Sequence, residues 1–188
     1  MTAEEYLERE LDAEYKSEYF DGEIFAIARP SPRHTLIVSN IVVEFGQQLK
    51  RKPCRVYPNE LRLRVTPTGL YTYPDVMVIC GDVQFTADQK GTVLNPVVIV
   101  EVLSKSTQDY DRGQKFEHYR TLPSLVDYLT VAQDRPHIEH WSRQSEDRWL
   151  LTEFAHLGQS IQLPSIDCTL SLADVYDKID FTSTADLN

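Results

Sequence analysis

The most apolar stretch of the chain is Pro96-Val97-Val98-Ile99-Val100-Glu101-Val102-Leu103-Ser104, broken only by Glu101. An apolar run of this length reads as a strand buried on both faces. A shorter run, Val76-Met77-Val78-Ile79, follows Tyr73-Pro74-Asp75 and predicts a second strand that Asp75 opens. Beyond the long run, Ser106 and Thr107 with Asp109 mark a helix start. Lys115, Phe116, Tyr119 and Leu122 then recur at helical spacing until Leu122-Pro123 ends the pattern. Val126 to Val131 is apolar again. A helix between two strands of one sheet predicts a parallel crossover.

The remaining elements are more local. Thr2 and Glu5 have capping-box spacing, so residues 2–11 predict a helix with Tyr6, Leu7 and Leu11 on its apolar face. Asp21-Gly22 between two β-rich runs predicts a hairpin over Tyr19 to Ala28. Pro30-Ser31-Pro32 breaks the chain, and a largely apolar helix runs from His34 or Thr35 to about Lys50. Cys54 to Val65 alternates and predicts one strand with one wet face. Asp82 to Asn95 reads as a polar loop with room for a short helix. Ile138 to Trp141 and Arg148 to Phe154 predict an antiparallel pair around a polar turn. Residues 166–180 predict a short C-terminal helix. The fold class expected is α/β (α+β), a mixed central β-sheet flanked by helices. One domain over residues 1–188 is expected, with a core at about 15–135 and a β extension at about 136–188.

Glu101 is the position this pattern does not explain. A carboxylate inside an apolar strand is unfavourable unless something pairs with it. Asp75 and Glu101 fall on neighbouring strands. Carboxylate oxygens suit Mg²⁺, which takes one or two protein carboxylates plus waters and substrate phosphate. A lysine beside such a pair could hold a water or neutralise developing charge. Position 103 would lie beside Glu101 on the same strand face, but it is Leu103. The helix after the strand can instead send Lys115 to that spot, its stem lying along apolar surface. Lys105 is the competitor, placed past the strand end.

At these residues the chain resembles the Uma-two family of restriction endonucleases, a branch of the PD-(D/E)XK nuclease superfamily. The resemblance is carried by Pro74-Asp75, Glu101-x-x-Ser104, Asp111-Arg112-Gly113-Gln114-Lys115 and Tyr119. It extends upstream to Glu18-Tyr19-Phe20-Asp21-Gly22-Glu23 and His34, covering residues 15–135 or so. The superfamily pattern has Lys where this chain has Leu103, and Lys115 is the matching residue in this branch. The resemblance implies a restriction-endonuclease-like fold, a DNA substrate and Mg²⁺ (or Mn²⁺). It implies Asp75 and Glu101 as metal ligands, with a backbone carbonyl near Val102, and Lys115 as the catalytic lysine. Glu18, Glu23, His34 and Ser104 are weaker candidates for the same site. A homodimer is expected, argued from the aromatic content around Trp141 and Trp149.

Composition sets limits on this reading. The formal net charge is -10, which opposes nucleic-acid binding if spread evenly. It is not spread evenly. Residues 1–23 hold nine acids and two bases, whereas residues 50–64 hold six bases and one acid. Lys50, Arg51, Lys52, Arg62 and Arg64 of that strip are candidates for DNA contact, and a solvated surface of mixed charge is the competing reading. No apolar run approaches the ~20 residues of a membrane span. The three cysteines, Cys54, Cys80 and Cys168, are scattered and suggest neither a zinc site nor a disulfide framework. A cytoplasmic protein with reduced thiols is expected. No Gly-x-x-x-x-Gly-Lys loop is present, which excludes a nucleoside triphosphatase of that class. Two readings stay open: a Mg²⁺-dependent endodeoxyribonuclease, and a catalytically degenerate, oligomeric nucleic-acid- or protein-binding module of the same fold.

Overall fold

The computed structural model describes residues 1–87, 91–104 and 110–182. A six-stranded mixed sheet forms its centre, in the order β11-β10-β9-β8-β6-β3. The strands are β3 (Cys54–Pro58), β6 (Val76–Cys80), β8 (Val98–Leu103), β9 (Asp127–Ala132), β10 (Ile138–Ser145) and β11 (Arg148–Phe154). β8 lies antiparallel to β6, with Val76 opposite Val100, and parallel to β9, with Glu101 opposite Thr130. The parallel crossover expected from the helix between β8 and β9 is present.

Alternation along β6 and β8 divides their side chains between two cores. Val76, Val78, Val98, Val100 and Val102 pack with Ile37, Ile41 and Phe45 of α2 (Pro32–Gln48). Met77, Ile79 and Ile99 pack on the other side with Phe116, Tyr119 and Tyr128. Val98, Ile99 and Val100 are wholly buried. Each such side chain contributes roughly 1.5–3 kcal/mol, so both faces of the strand are driven inside. Glu101 has the parity of Ile99 and therefore enters the second core.

A five-stranded sheet closes that second core. Its order is β2-β1-β5-β4-β7, from β1 (Ser17–Phe20), β2 (Glu23–Ala26), β4 (Arg62–Val65), β5 (Leu70–Thr72) and β7 (Thr92–Val93). β1 and β2 form the expected hairpin, with Asp21 and Gly22 at φ 47° and 87°. Two positive φ values suit a type I′ turn, which Asp-Gly adopts readily. Helix α1 (Ala3–Leu11) covers the outer face, and its Tyr6 ring stacks 5.1 Å from Tyr19. Thr2 and Glu5 complete the capping box.

Several expectations need correction. Cys54 to Val65 is not one strand: it divides into β3 and β4, in different sheets. Pro58 has no N–H to continue a ladder, and a turn at Asn59-Glu60 redirects the chain. α2 begins earlier than expected, at Pro32, because Ser31 caps it by accepting the His34 N–H. Asp82 to Asn95 carries β7 rather than a helix among its described residues. β12 (Ser160–Leu163) and β13 (Cys168–Ser171) form a hairpin that leads into the expected C-terminal helix, α4 (Leu172–Val175). That hairpin's apolar contribution is a few alternating residues, too short a pattern to separate from loop. Cys54 and Cys80 sit directly opposite each other on β3 and β6 and form a disulfide, contrary to the expected reduced thiols. Strand register, which spacing does not reveal, brings them together. Cys168 is free and buried. The helix start at Ser106, Thr107 and Asp109, and Lys105 with it, lie outside the described residues. After them comes a π-helical turn, Asp111–Lys115, continuing as α3 (Phe116–Tyr119). Among the described residues no helix is long and apolar enough to cross a membrane.

Candidate active site

Asp75 stands just before β6 and Glu101 within β8, and register sets them side by side. The Asp75 N–H donates to Glu101 Oε2 (3.3 Å), and the Val102 N–H donates to Asp75 Oδ2 (2.7 Å). The other Asp75 oxygen is 3.0 Å from His34 Nε2, on the first turn of α2. Glu101 thus holds the Asp75 backbone, and Asp75 holds the backbone of Val102, the residue after Glu101.

The second core supplies the counter-charge. Lys115 Nζ lies 3.2 Å from Glu101 Oε1, as the helix geometry predicted. It also lies 2.9 Å from Glu18 Oε1 and 3.3 Å from Asp111 Oδ1. The Tyr119 hydroxyl donates to Glu101 Oε1 (2.7 Å), and Thr72 Oγ1 donates to Glu18 Oε1 (2.6 Å). Glu101 is 3% exposed and Lys115 7%. Burial pushes the Glu101 carboxyl up to about 8, and Asp75 and Asp111 push the same way against the pull of Lys115 and Tyr119. Burial alone would lower the Lys115 ammonium, but Glu101, Tyr119, Glu18 and Asp111 hold it well above the usual lysine range. At His34 burial also lowers, yet the hydrogen bond and charge of Asp75 prevail and the net direction is up. Glu18, Glu101 and Asp111 therefore share one buried lysine, and Asp75 adjoins the group through Glu101.

The model of the family described as "Uma2: Putative restriction endonuclease" matches residues 3–173. The chain belongs to the Uma2 family. Two proteins of Synechocystis sp. (strain ATCC 27184 / PCC 6803 / Kazusa) are relatives over most of its length. "Uncharacterized protein sll1609" is 37% identical over 87% of this chain and 91% of its own. "Uncharacterized protein slr1290" is 33% identical over 96% of this chain and 94% of its own. The crystal structure of "a putative nuclease belonging to DUF820" from Anabaena variabilis ATCC 29413 superposes with a TM-score of 0.72 at 19% identity. It covers 90% of this chain and 96% of the other. That likeness shows a shared mixed α+β fold.

Against the Uma2 pattern, the remaining candidates separate clearly. Glu18 and His34 reach the cluster. Glu23 is exposed on the outer strand β2, opposite Phe20. Ser104 is half-buried at the end of β8, next to the segment outside the described residues. Asp111 joins the cluster although only its place in the helix motif singled it out. Arg112, the next residue of the same helix motif, turns to Glu139.

The basic strip does not form a surface around these acids. Arg62 is buried, bonded to Thr92 and Tyr73 and lying over the Tyr6 ring, so it is no surface contact for DNA. Arg64 lies over Tyr71 on the α1 side of the five-stranded sheet, opposite the face carrying Glu18 and Thr72. Lys52 pairs with Asp167. Lys50 and Arg51 are exposed, but they precede the Cys54 end of β3, whereas Asp75 adjoins the Pro58 end. At ~3.3 Å per residue that is a separation of roughly 15 Å along the strand. Trp141 and Trp149, which argued for an interface, pack against Phe116 at 4.8 and 5.3 Å instead. A second donor group lies on the face that holds Glu101: His137, Glu139 and Glu153 bring ligand atoms within 4.8 Å of one another. Glu139 opposes both Thr130 and Glu153, continuing the lateral row that starts at Glu101.

Proposed function

We propose that this protein is a metal-dependent endodeoxyribonuclease that hydrolyses DNA phosphodiester bonds. Asp75 and Glu101 would hold the divalent cation, Mg²⁺ or Mn²⁺, with Lys115 beside them. One observation carries this reading: Glu18, Glu101 and Asp111 share one buried lysine and Asp75 lies beside Glu101, an excess of acids over cations. Such an excess of carboxylates favours an added positive charge, and hard oxygen donors select a hard cation. Bound there, such an ion supplies Lewis acidity and offsets charge on phosphate oxygens.

The chain's own residues supply positioning, which carries most of phosphoryl-transfer catalysis. The Val102 N–H and His34 fix the plane of the Asp75 carboxylate. Tyr119 and the Asp75 N–H fix Glu101 at both oxygens. Lys115 places a permanent positive charge where negative charge grows as water attacks phosphorus and one P–O bond breaks. His34 holds a proton at Asp75 Oδ1 on the side of the pocket nearest α2.

The protein is further proposed to act as a homodimer. Edge strand β11 exposes Leu150 (53%) and Leu151 (39%), a sheet edge that a second copy would cover. A second reading, the catalytically degenerate binding module, is favoured by one fact: each of the three Lys115 N–H donors has a carboxylate to meet, leaving none for a water. Supercoiled plasmid incubated with purified protein and Mg²⁺ or Mn²⁺ separates the two. Nicking that EDTA and Glu101→Ala both abolish supports the nuclease. Intact plasmid under every metal condition supports the module.

A further inference from the structure

We infer that Asp111 is the positioning residue that sets where the Lys115 ammonium stands, an inference that goes beyond the proposed nuclease activity and rests on it only for its catalytic readout. Lysine is a poor choice for a fixed charge, because its ammonium rides on a flexible four-carbon stem. Something must hold it. Three carboxylates touch Nζ, and they come from different elements. Glu101 is a proposed metal ligand, so its oxygens have a second claim on them. Glu18 comes from β1 of the other sheet and is shared with Thr72. Asp111 is four residues before Lys115 on the same turn, 3.3 Å from Nζ and buried.

That turn is anchored independently of the lysine. The Tyr128 hydroxyl, from β9, donates to the Asp111 carbonyl (2.8 Å). The neighbouring Arg112 Nε donates to Glu139 on β10 (3.1 Å). Two strands therefore hold the turn just after the Asp111 side chain, β9 at the backbone and β10 through the Arg112 side chain. The turn is π-helical, a geometry found where a helix is locally widened at functional sites. Widening here places Asp111 and Lys115 together inside the core, while Gly113 and Gln114 remain exposed.

Two variants and two readouts test this. Asp111→Asn keeps the shape and removes the charge; Asp111→Glu keeps the charge and lengthens the side chain. In protein labelled with ¹⁵N-lysine, the Lys115 ammonium, assigned by its loss in Lys115→Gln, is expected as a slowly exchanging signal. Asp111→Asn should broaden or shift it, and Asp111→Glu should restore part of its protection. In single-turnover cleavage of a duplex oligonucleotide with Mg²⁺, Asp111→Asn should slow the rate at saturating DNA tenfold or more. The half-saturating DNA concentration should stay within twofold, and Asp111→Glu should recover part of the rate. An unmoved ammonium signal in Asp111→Asn overturns the inference, as does a variant rate within twofold of wild type. Loss of Mn²⁺ binding in both variants by calorimetry also overturns it, because it would make Asp111 a ligand. If the wild-type protein cuts no DNA, the nuclease reading fails and the ammonium signal alone decides the role of Asp111.

Discussion

Replacing Glu101 with glutamine should remove much of the fall in stability that the metal-free protein shows as pH rises. In the folded state burial, Asp75 and Asp111 raise the Glu101 carboxyl from 4.5 to about 8. The folded protein then binds a proton at Glu101 that the unfolded chain has released. Stability from this group is full below about pH 4.5 and falls as pH rises towards 8. Taking ~1.36 kcal/mol per pH unit, the gap sets a ceiling of about 5 kcal/mol, shared with the coupled Lys115. For a chain of this size 1 kcal/mol is worth ~2–4 °C in Tm. The wild-type Tm in EDTA should therefore drop by several degrees from mildly acidic to mildly basic pH. Glutamine cannot titrate. Its carbonyl still accepts from Lys115 and Tyr119, while the bond from the Asp75 N–H, at 3.3 Å, is lost for about 1 kcal/mol. Glu101→Gln should be slightly less stable than wild type in acid, more stable in base, and should cross between. The assay is thermal unfolding by circular dichroism across that pH range, with EDTA and again with Mg²⁺. Mg²⁺ should raise the wild-type Tm most in base and leave Glu101→Gln unmoved. Parallel curves for the two proteins would refute the reasoning, because they would show that Glu101 titrates normally.

Three further outcomes are expected. Lys115→Ala leaves Glu18, Glu101 and Asp111 without their shared cation, so urea unfolding at neutral pH should show a loss of about 3–5 kcal/mol. Tyr119→Phe removes a buried hydrogen bond to Glu101, and should lower stability by about 1.5–3 kcal/mol in urea titrations above pH 8, where Glu101 is ionised, and by less in acid. Light scattering at micromolar concentration should give the mass of a dimer, and Leu151→Lys on edge strand β11 should give that of a monomer; a wild-type monomer contradicts the dimer.

The central elements were legible because burial leaves a strong pattern. β8 is apolar on both faces, so Glu101 stood out as the position needing a partner. The crossover to β9 followed from the helix between them, and the parity of 101 and 103 pointed to a lysine from that helix. Glu18 and His34 were legible only through resemblance. Nothing local in Glu18-Tyr19-Phe20 says that a second sheet will fold over the first and carry Glu18 to Lys115. Asp111 was hidden because an acid at helical spacing from a lysine reads as a surface pair, and only burial and the π-helical turn distinguish it. The basic strip misled for the opposite reason. Its charges are neighbours in sequence, but the turn after Pro58 sends Arg62 and Arg64 into another sheet. The Cys54–Cys80 pairing depends on register between β3 and β6, which no count of cysteines reveals.

The most direct measurement is the anomalous diffraction of crystals soaked in Mn²⁺. A single strong peak between the Asp75 and Glu101 carboxylates, absent in Glu101→Ala, is the predicted result. No peak there, or a peak only at His137, Glu139 and Glu153, would contradict the assignment of Asp75 and Glu101 as the metal-binding pair.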